Sequence, residues 1–171
     1  MYRECMLSSP HHNVKHFRLG FCYHGGMQLT LYSDYALRAL LYLAVAEESN
    51  ISEVAESYGI SRNHLVKVVH HLAKVGLIES QRGRGGGIRL ARAAEDVTVG
   101  EVVRLCEPHF HLVECFDKAH NRCVISPVCR LQGVLGEAHR AFFNVLDGYT
   151  LRDVAGNSEA LVQLLGVKAK V

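Results

Sequence analysis

The chain has 171 residues, a net charge of +2, and a composition that is 49% hydrophobic and 21% charged. That length can bury one good core with an appended element, and the apolar content excludes a disordered chain. No apolar run approaches the ~20 residues needed to cross a bilayer, and the first residues lack the apolar stretch of a signal peptide, so the expected location is cytoplasmic, with no membrane partner. In that reducing compartment six cysteines read as ligands, redox thiols or small buried groups rather than as disulfides.

Charge is unevenly distributed. Between Ser61 and Arg92 seven basic residues, Arg62, Lys67, Lys74, Arg82, Arg84, Arg89 and Arg92, stand against one acid, Glu79, a local balance of +6. The segment before Met27 carries +2, which leaves −6 for the remainder. Such segregation is the footprint of a polyanion partner, because phosphate contacts release condensed counterions. A solvated basic face gives the same tally.

Residues 1–26 mix Pro10, His11, His12, His16 and His24 with scattered aromatics and sustain no helical or strand period. They read as a disordered leader or extension, without the fixed geometry a metal site requires. A DNA-binding domain is expected over 27–97. Ser33 is the expected N-cap of a helix through Tyr35, Ala36, Leu37, Ala39, Leu40, Leu41, Leu43 and Ala44. That helix is apolar on most faces, which suits packing between two partners, for example within a dimer. A short amphipathic helix follows over Ser52 to Tyr58, stopped by Gly59. Ser61 caps the next, in which Leu65, Val68, Val69, Leu72 and Val75 recur at helical spacing and leave Arg62, Asn63, His64 and Lys67 on the leading face. Two helices joined by a tight turn make a helix-turn-helix. A strand over Leu77 to Gln81, a tip of Arg82-Gly83-Arg84-Gly85-Gly86-Gly87 and a return strand over Ile88 to Leu90 then form a wing. Nucleotide-binding glycine loops lead into a helix, whereas this one returns as a strand.

Residues 98–130 hold a helix and a cysteine loop. Thr98 caps a helix through Val99, Val102, Val103, Leu105 and Cys106 that stops at Pro108, and Cys106 among those residues reads as a small buried group. Cys115, Cys123 and Cys129 are separated by seven and five intervening residues. Zinc sites favour close C-x2-C pairs and ferredoxins use tight runs, so neither pattern fits. With Pro127 interrupting any helix, the spacing describes a loop wrapped around its ligand. Three thiolates leave tetrahedral coordination one short. An iron–sulfur cluster, zinc and a thiol–disulfide switch all suit soft thiolates, and His109, His111 and His120 lie nearby. Residues 131–171 hold a long helix with Leu131, Val134, Leu135, Ala138, Phe142, Val145 and Leu146 at spacings of three and four, then a short helix over Ser158 to Leu165. An apolar stripe of that length beyond a small winged helix implies a homodimer, matching the two-fold symmetry of operators. The expected fold is mainly α: a winged helix-turn-helix with a small two-stranded wing, a cysteine-rich loop and a long dimerisation helix.

Four segments together, MQLTLYSDYALRALLYLA from Met27, ISEVAESYGISRNHLVKVVHHLAKVGLI from Ile51, QRGRGGGIRLAR from Gln81 and LVECFDKAHNRCVISPVCRL from Leu112, resemble the NsrR/IscR family of winged-helix regulators, most of all its nitric-oxide-sensing repressors. The resemblance implies a homodimer on double-stranded operator DNA, with one iron–sulfur cluster per subunit on Cys115, Cys123 and Cys129. It implies a 4Fe-4S cluster whose remaining ligand is Asp34 of the partner subunit. It also implies nitric oxide as the signal, with nitrosylation relieving repression of nitrosative-stress genes. Where IscR-like members place a histidine ligand three residues beyond the third cysteine, this chain has Gln132, which argues against an IscR-like 2Fe-2S site. The alternative is a winged-helix regulator that responds to redox state or iron supply through a 2Fe-2S cluster, zinc or a thiol switch. Ser61, Arg62, Asn63, His64 and Lys67, with Arg82 and Arg84 of the wing, are the expected DNA contacts. An enzyme or electron carrier is the rival class. The chain has no second cluster motif, no flavin or nicotinamide fingerprint and no Cys/His pair placed together to support it.

Overall fold

The computed structural model describes residues 28–81, 87–156 and 158–167. The leader and the wing-tip residues Arg82 and Arg84 lie outside them.

Helix α1 spans Leu31–Ala46, and its N-cap is Thr30, whose hydroxyl accepts from the Ser33 backbone N–H at 3.2 Å. The sequence pointed to Ser33 as the cap, one turn later. Both residues are cap formers, but Ser33 is fully buried and lies inside the helix. Strand β1, Glu48–Ser49, leads into α2, Ile51–Tyr58. A capping box starts α2: the Asn50 side chain accepts from the Glu53 N–H, and the Glu53 carboxylate accepts from the Asn50 N–H. Gly59 ends α2 at φ +63°, left-handed backbone that favours glycine, and its following Ile60 N–H returns to the Ala55 carbonyl at 2.9 Å. Helix α3 spans Arg62–Lys74 after Ser61.

The two expected wing strands form as β2, Ile78–Ser80, and β3, Ile88–Leu90, antiparallel with Glu79 opposite Arg89. A third strand, unexpected from the sequence, extends the sheet: β1 pairs antiparallel with the other edge of β3, in the order β1-β3-β2. Helix α4, Val99–Cys106, is capped by Thr98 as expected. After the cysteine loop come α5, Arg130–Asp147, then α6, Leu151–Val154, and α7, Ser158–Leu165. The four-residue α6 is too short to show a period, and its Thr150 and Asp153 form a second capping box.

The core is built around α1. Ala36, Ala39 and Leu40 are completely buried and Leu43 nearly so, against Leu65, Val68 and Leu72 of α3, Val102 of α4, Leu151 of α6 and Leu165 of α7. Its buried face is therefore covered by elements of the same chain, while Leu31 at its start stays exposed. Helix α5 is different: Phe143 is its one buried residue. There the Arg104 guanidinium lies 4.4 Å over the Phe143 ring and bridges both Asp147 carboxylate oxygens at 2.7 and 2.5 Å. A methyl group at Gly100 would collide with that carboxylate, so glycine sets the close approach of α4 to α5. The opposite stripe stays open, with Leu131, Val134 and Val145 each about 60% exposed.

Truncating a core side chain removes transfer energy and leaves a cavity. Leu72→Ala is expected to lower stability by about 2–5 kcal/mol in urea unfolding at fixed protein concentration. An unchanged midpoint would show that α3 is not anchored through Leu72.

Candidate nucleic-acid interface and cysteine loop

Helix α3 has two faces. Leu65, Val68, Val69 and Leu72 are buried, whereas Ser61, Arg62, Asn63, His64 and Lys67 are all exposed. The Ser61 hydroxyl makes no cap bond to the helix. It stands free beside the orphan amides of the first turn, where an anionic phosphate is favoured. Arg62 is steered by its Nε, which donates to the Ser52 hydroxyl of α2 at 3.0 Å. The exposed side continues through His70 and Lys74, which follow Lys67 at spacings of three and four. Periodicity alone carries that signal, since both positions fall between the buried ones. The basic tally of this module shrinks on folding. Arg89 pairs with Glu79 across the sheet at 2.7 Å, and Arg92 pairs with Glu101 of α4 at 2.6 Å. Among the described residues of this module the basic side chains outside these pairs therefore lie on α3.

The cysteine loop runs from α4 to α5. Cys115 lies in a tight turn over Glu114–Phe116, Cys123 precedes a second turn over Ser126–Val128, and Cys129 is the N-cap residue of α5. All three thiols are free and half-buried. Among the described residues no three His, Cys, Asp or Glu side chains are gathered closely enough to hold one metal ion. Soft sulfur donors from three half-buried cysteines on one loop fit an iron–sulfur cluster by donor chemistry. The histidines expected nearby do not join them. His120 Nδ1 lies 2.7 Å and His111 Nδ1 4.0 Å from an Asp117 oxygen, and His109 stacks on His111. The His120 hydrogen bond, helped by the Ala119 amide, holds the Asp117 carboxyl below its ordinary range. Cys106 is buried, as the sequence indicated, and burial with the nearby Glu107 charge pushes its thiol up to about 11.

Asp34 closes the first turn of α1 and is half-exposed. Arg38, one turn on, clasps it: Nε donates at 3.0 Å, and the second guanidinium contact is 2.8 Å. That i,i+4 pairing was legible in the sequence but was not drawn from it. Around the same end of α1, the Thr30 N–H donates to Glu107 at 2.8 Å and the Tyr32 ring meets His71 edge-on. His71 Nε2 in turn donates to the Leu105 carbonyl at 3.0 Å, capping the end of α4. The start of α1, the second half of α3 and the exit of α4 are thus bound to one another.

Residues 29–157 match the model of Rrf2, described as an iron-dependent transcriptional regulator. The chain belongs to the Rrf2 family. Like other Rrf2 members it is a DNA-binding transcriptional regulator and not an enzyme. It is 54% identical over 145 residues to the HTH-type transcriptional regulator NsrR of Bacillus subtilis, covering 83% of this chain and 99% of that one. A second NsrR, from Halalkalibacterium halodurans, is 51% identical with the same coverage. Among solved structures, the oxidized form of Staphylococcus aureus CymR matches at 28% identity and TM-score 0.59, covering 75% of this chain and 96% of that one. T. potens IscR, at 24% identity and TM-score 0.64 over 85% and 95%, shares the fold. Among the described residues of this Rrf2 protein no helix is long and apolar enough to cross a membrane.

Thiolate, not thiol, is the reactive form. Brief iodoacetamide treatment of the folded apo-protein at pH 8 is expected to label Cys115, Cys123 and Cys129 and to spare Cys106, read by peptide mapping. Equal labelling of Cys106 would contradict its burial.

Proposed function

We propose that this Rrf2 regulator is a homodimeric repressor of nitrosative-stress genes, acting on operator DNA in the cytoplasm and released by nitric oxide. Cys115, Cys123 and Cys129 hold an iron–sulfur cluster of the 4Fe-4S type, and Asp34 of the partner subunit supplies the remaining ligand. When bound, the cluster offers iron that nitric oxide can nitrosylate. The observation that carries the reading is the pairing, on one short chain, of an exposed basic helix with three free, half-buried thiols on a single loop. The Bacillus subtilis and Halalkalibacterium halodurans relatives, which share about half of the sequence, are transcriptional regulators named NsrR.

The residues divide the work. Asn63 and His64 face outward from α3 toward the major groove, and Ser61, Arg62 and Lys67 meet the phosphate backbone. Arg82 and Arg84, which lie outside the described residues, reach for the minor groove, where negative potential favours guanidinium groups. The open stripe of Leu131, Val134 and Val145 on α5 is the dimer surface. To serve as a ligand the Asp34 carboxylate exchanges its clasp with Arg38 for iron. An oxygen donor suits iron less than thiolate does, which makes it the ligand most readily displaced. Without a cluster to hold, Asp34 would keep its clasp with Arg38 in α1, the helix packed against α3.

Protein purified without oxygen is expected to carry about four iron and four sulfide per subunit. About two of each would replace the cluster type, and zinc or no metal would remove gas sensing while leaving DNA binding intact. Lys67→Ala is expected to weaken DNA binding evenly across sequences and to reduce the slope of log affinity against log salt by about one. An unchanged slope would take Lys67 off the phosphates.

A further inference from the structure

Gln132 occupies the third position of α5, where in a capping box a glutamine folds back to the N–H of a Ser or Thr cap, but the cap residue here is Cys129, which makes no side-chain cap bond. Here its Nε2 instead donates to the Cys115 carbonyl at 3.0 Å, across seventeen residues of chain. The other side-chain hydrogen bonds of the loop are local. Asn121 accepts from the Cys123 N–H at 3.0 Å and donates to Ser126 at 2.8 Å, and the Glu114 carboxylate accepts from the Arg122 N–H. Glu114 therefore joins the neighbourhoods of Cys115 and Cys123, whereas Gln132 joins Cys115 to the helix that begins at Cys129. A looser apolar contact, Phe116 against His139 at 6.1 Å between ring centres, follows the same line. Gln132 is half-buried, so water competes only partly for its amide.

Resting on the cluster reading above, we propose that Gln132 is a positioning residue of the cysteine loop: it closes the loop before a cluster enters, and its amide, engaged with the backbone, leaves the remaining coordination place to a ligand from outside the loop. Closing a long loop costs conformational entropy, and a loop already closed in the apo-protein spares cluster binding that cost. The same hydrogen bond slows departure, since release of Cys115 from iron requires the loop to open.

The test compares the full-length parent with Gln132→Leu, which removes the donor at similar helix propensity, and Gln132→Lys, which restores a donor at the same place. After anaerobic reconstitution with iron and sulfide, cluster loss to a ferrous chelator is followed by visible absorbance. In the apo-proteins, the rate of Cys115 alkylation relative to Cys123 is read by peptide mapping. Gln132→Leu is expected to lose its cluster about 2- to 12-fold faster, the range set by one net hydrogen bond, and to label Cys115 faster relative to Cys123. Gln132→Lys should return both toward the parent, while the thermal midpoints of all three stay within the few degrees that one hydrogen bond accounts for. A parent that assembles a cluster, with a Gln132→Leu variant that matches it in chelation and in Cys115 labelling, overturns the role of Gln132 alone. A parent that takes up no iron and sulfide overturns the cluster reading and this role with it.

Discussion

Helix α1 is enclosed by its own chain, and that constraint fixes the rest of the molecule. Ala36, Ala39, Leu40 and Leu43 repeat at helical spacing and are buried against α3, α4, α6 and α7. Each of the larger side chains contributes about 1.5–3 kcal/mol on burial. Interiors of this kind are close-packed, so a displacement of one element is felt by those that touch it. At the outer end of α1 the contacts become polar: Thr30 to Glu107, Tyr32 to His71, and His71 to the Leu105 carbonyl. Asp34 sits one short step from those contacts. The cysteine loop departs from the same end of α4, and His71 belongs to the recognition helix. The candidate cluster site and the candidate DNA face are therefore joined through few intermediaries.

Function in this fold falls where the packing leaves side chains uncommitted. Arg89 and Arg92 are taken up by Glu79 and Glu101, whereas Lys67, His70 and Lys74 remain outward on α3. The Cys106 thiol is buried and inert, and those of Cys115, Cys123 and Cys129 are free. Most of the core-facing positions of α1 are covered, while the stripe on α5 is open. An apolar stripe left open on a long helix, with Val124 and Val128 also exposed in the loop before it, marks an interaction surface that the proposed homodimer would cover.

Much of this was legible in the sequence, for identifiable reasons. Gly59 and Thr98 mark helix boundaries because left-handed backbone and hydroxyl capping are local chemistry, independent of tertiary contacts. The buried face of α3 follows from its period. The start of α1 was misplaced by a turn because Thr30 and Ser33 are equally good caps on paper, and only the burial of Ser33 decides between them. Strand β1 has two residues, Glu48 and Ser49, and exists through its pairing with β3, which no local pattern announces. The site divides the same way. Spacing identified the three cysteines as one loop and set Cys106 aside, and the i,i+4 spacing of Asp34 and Arg38 allowed their clasp, but the reach of Gln132 to Cys115 depends on side-chain direction. The charge count also overstated the basic patch, because Glu101, which neutralises Arg92, lies outside the segment that was summed.

In the proposed switch, one loop of thiols and one DNA-reading helix answer to the same chemical event. The most direct measurement is anaerobic fluorescence anisotropy of the cluster-bearing protein on an operator selected from random duplexes, before and after stepwise nitric oxide, with cluster absorbance recorded on the same sample. The account predicts that affinity falls by about tenfold or more, equivalent to about 1.4 kcal/mol, in step with the loss of the cluster spectrum. Operator affinity that holds constant while the cluster is fully nitrosylated would contradict it.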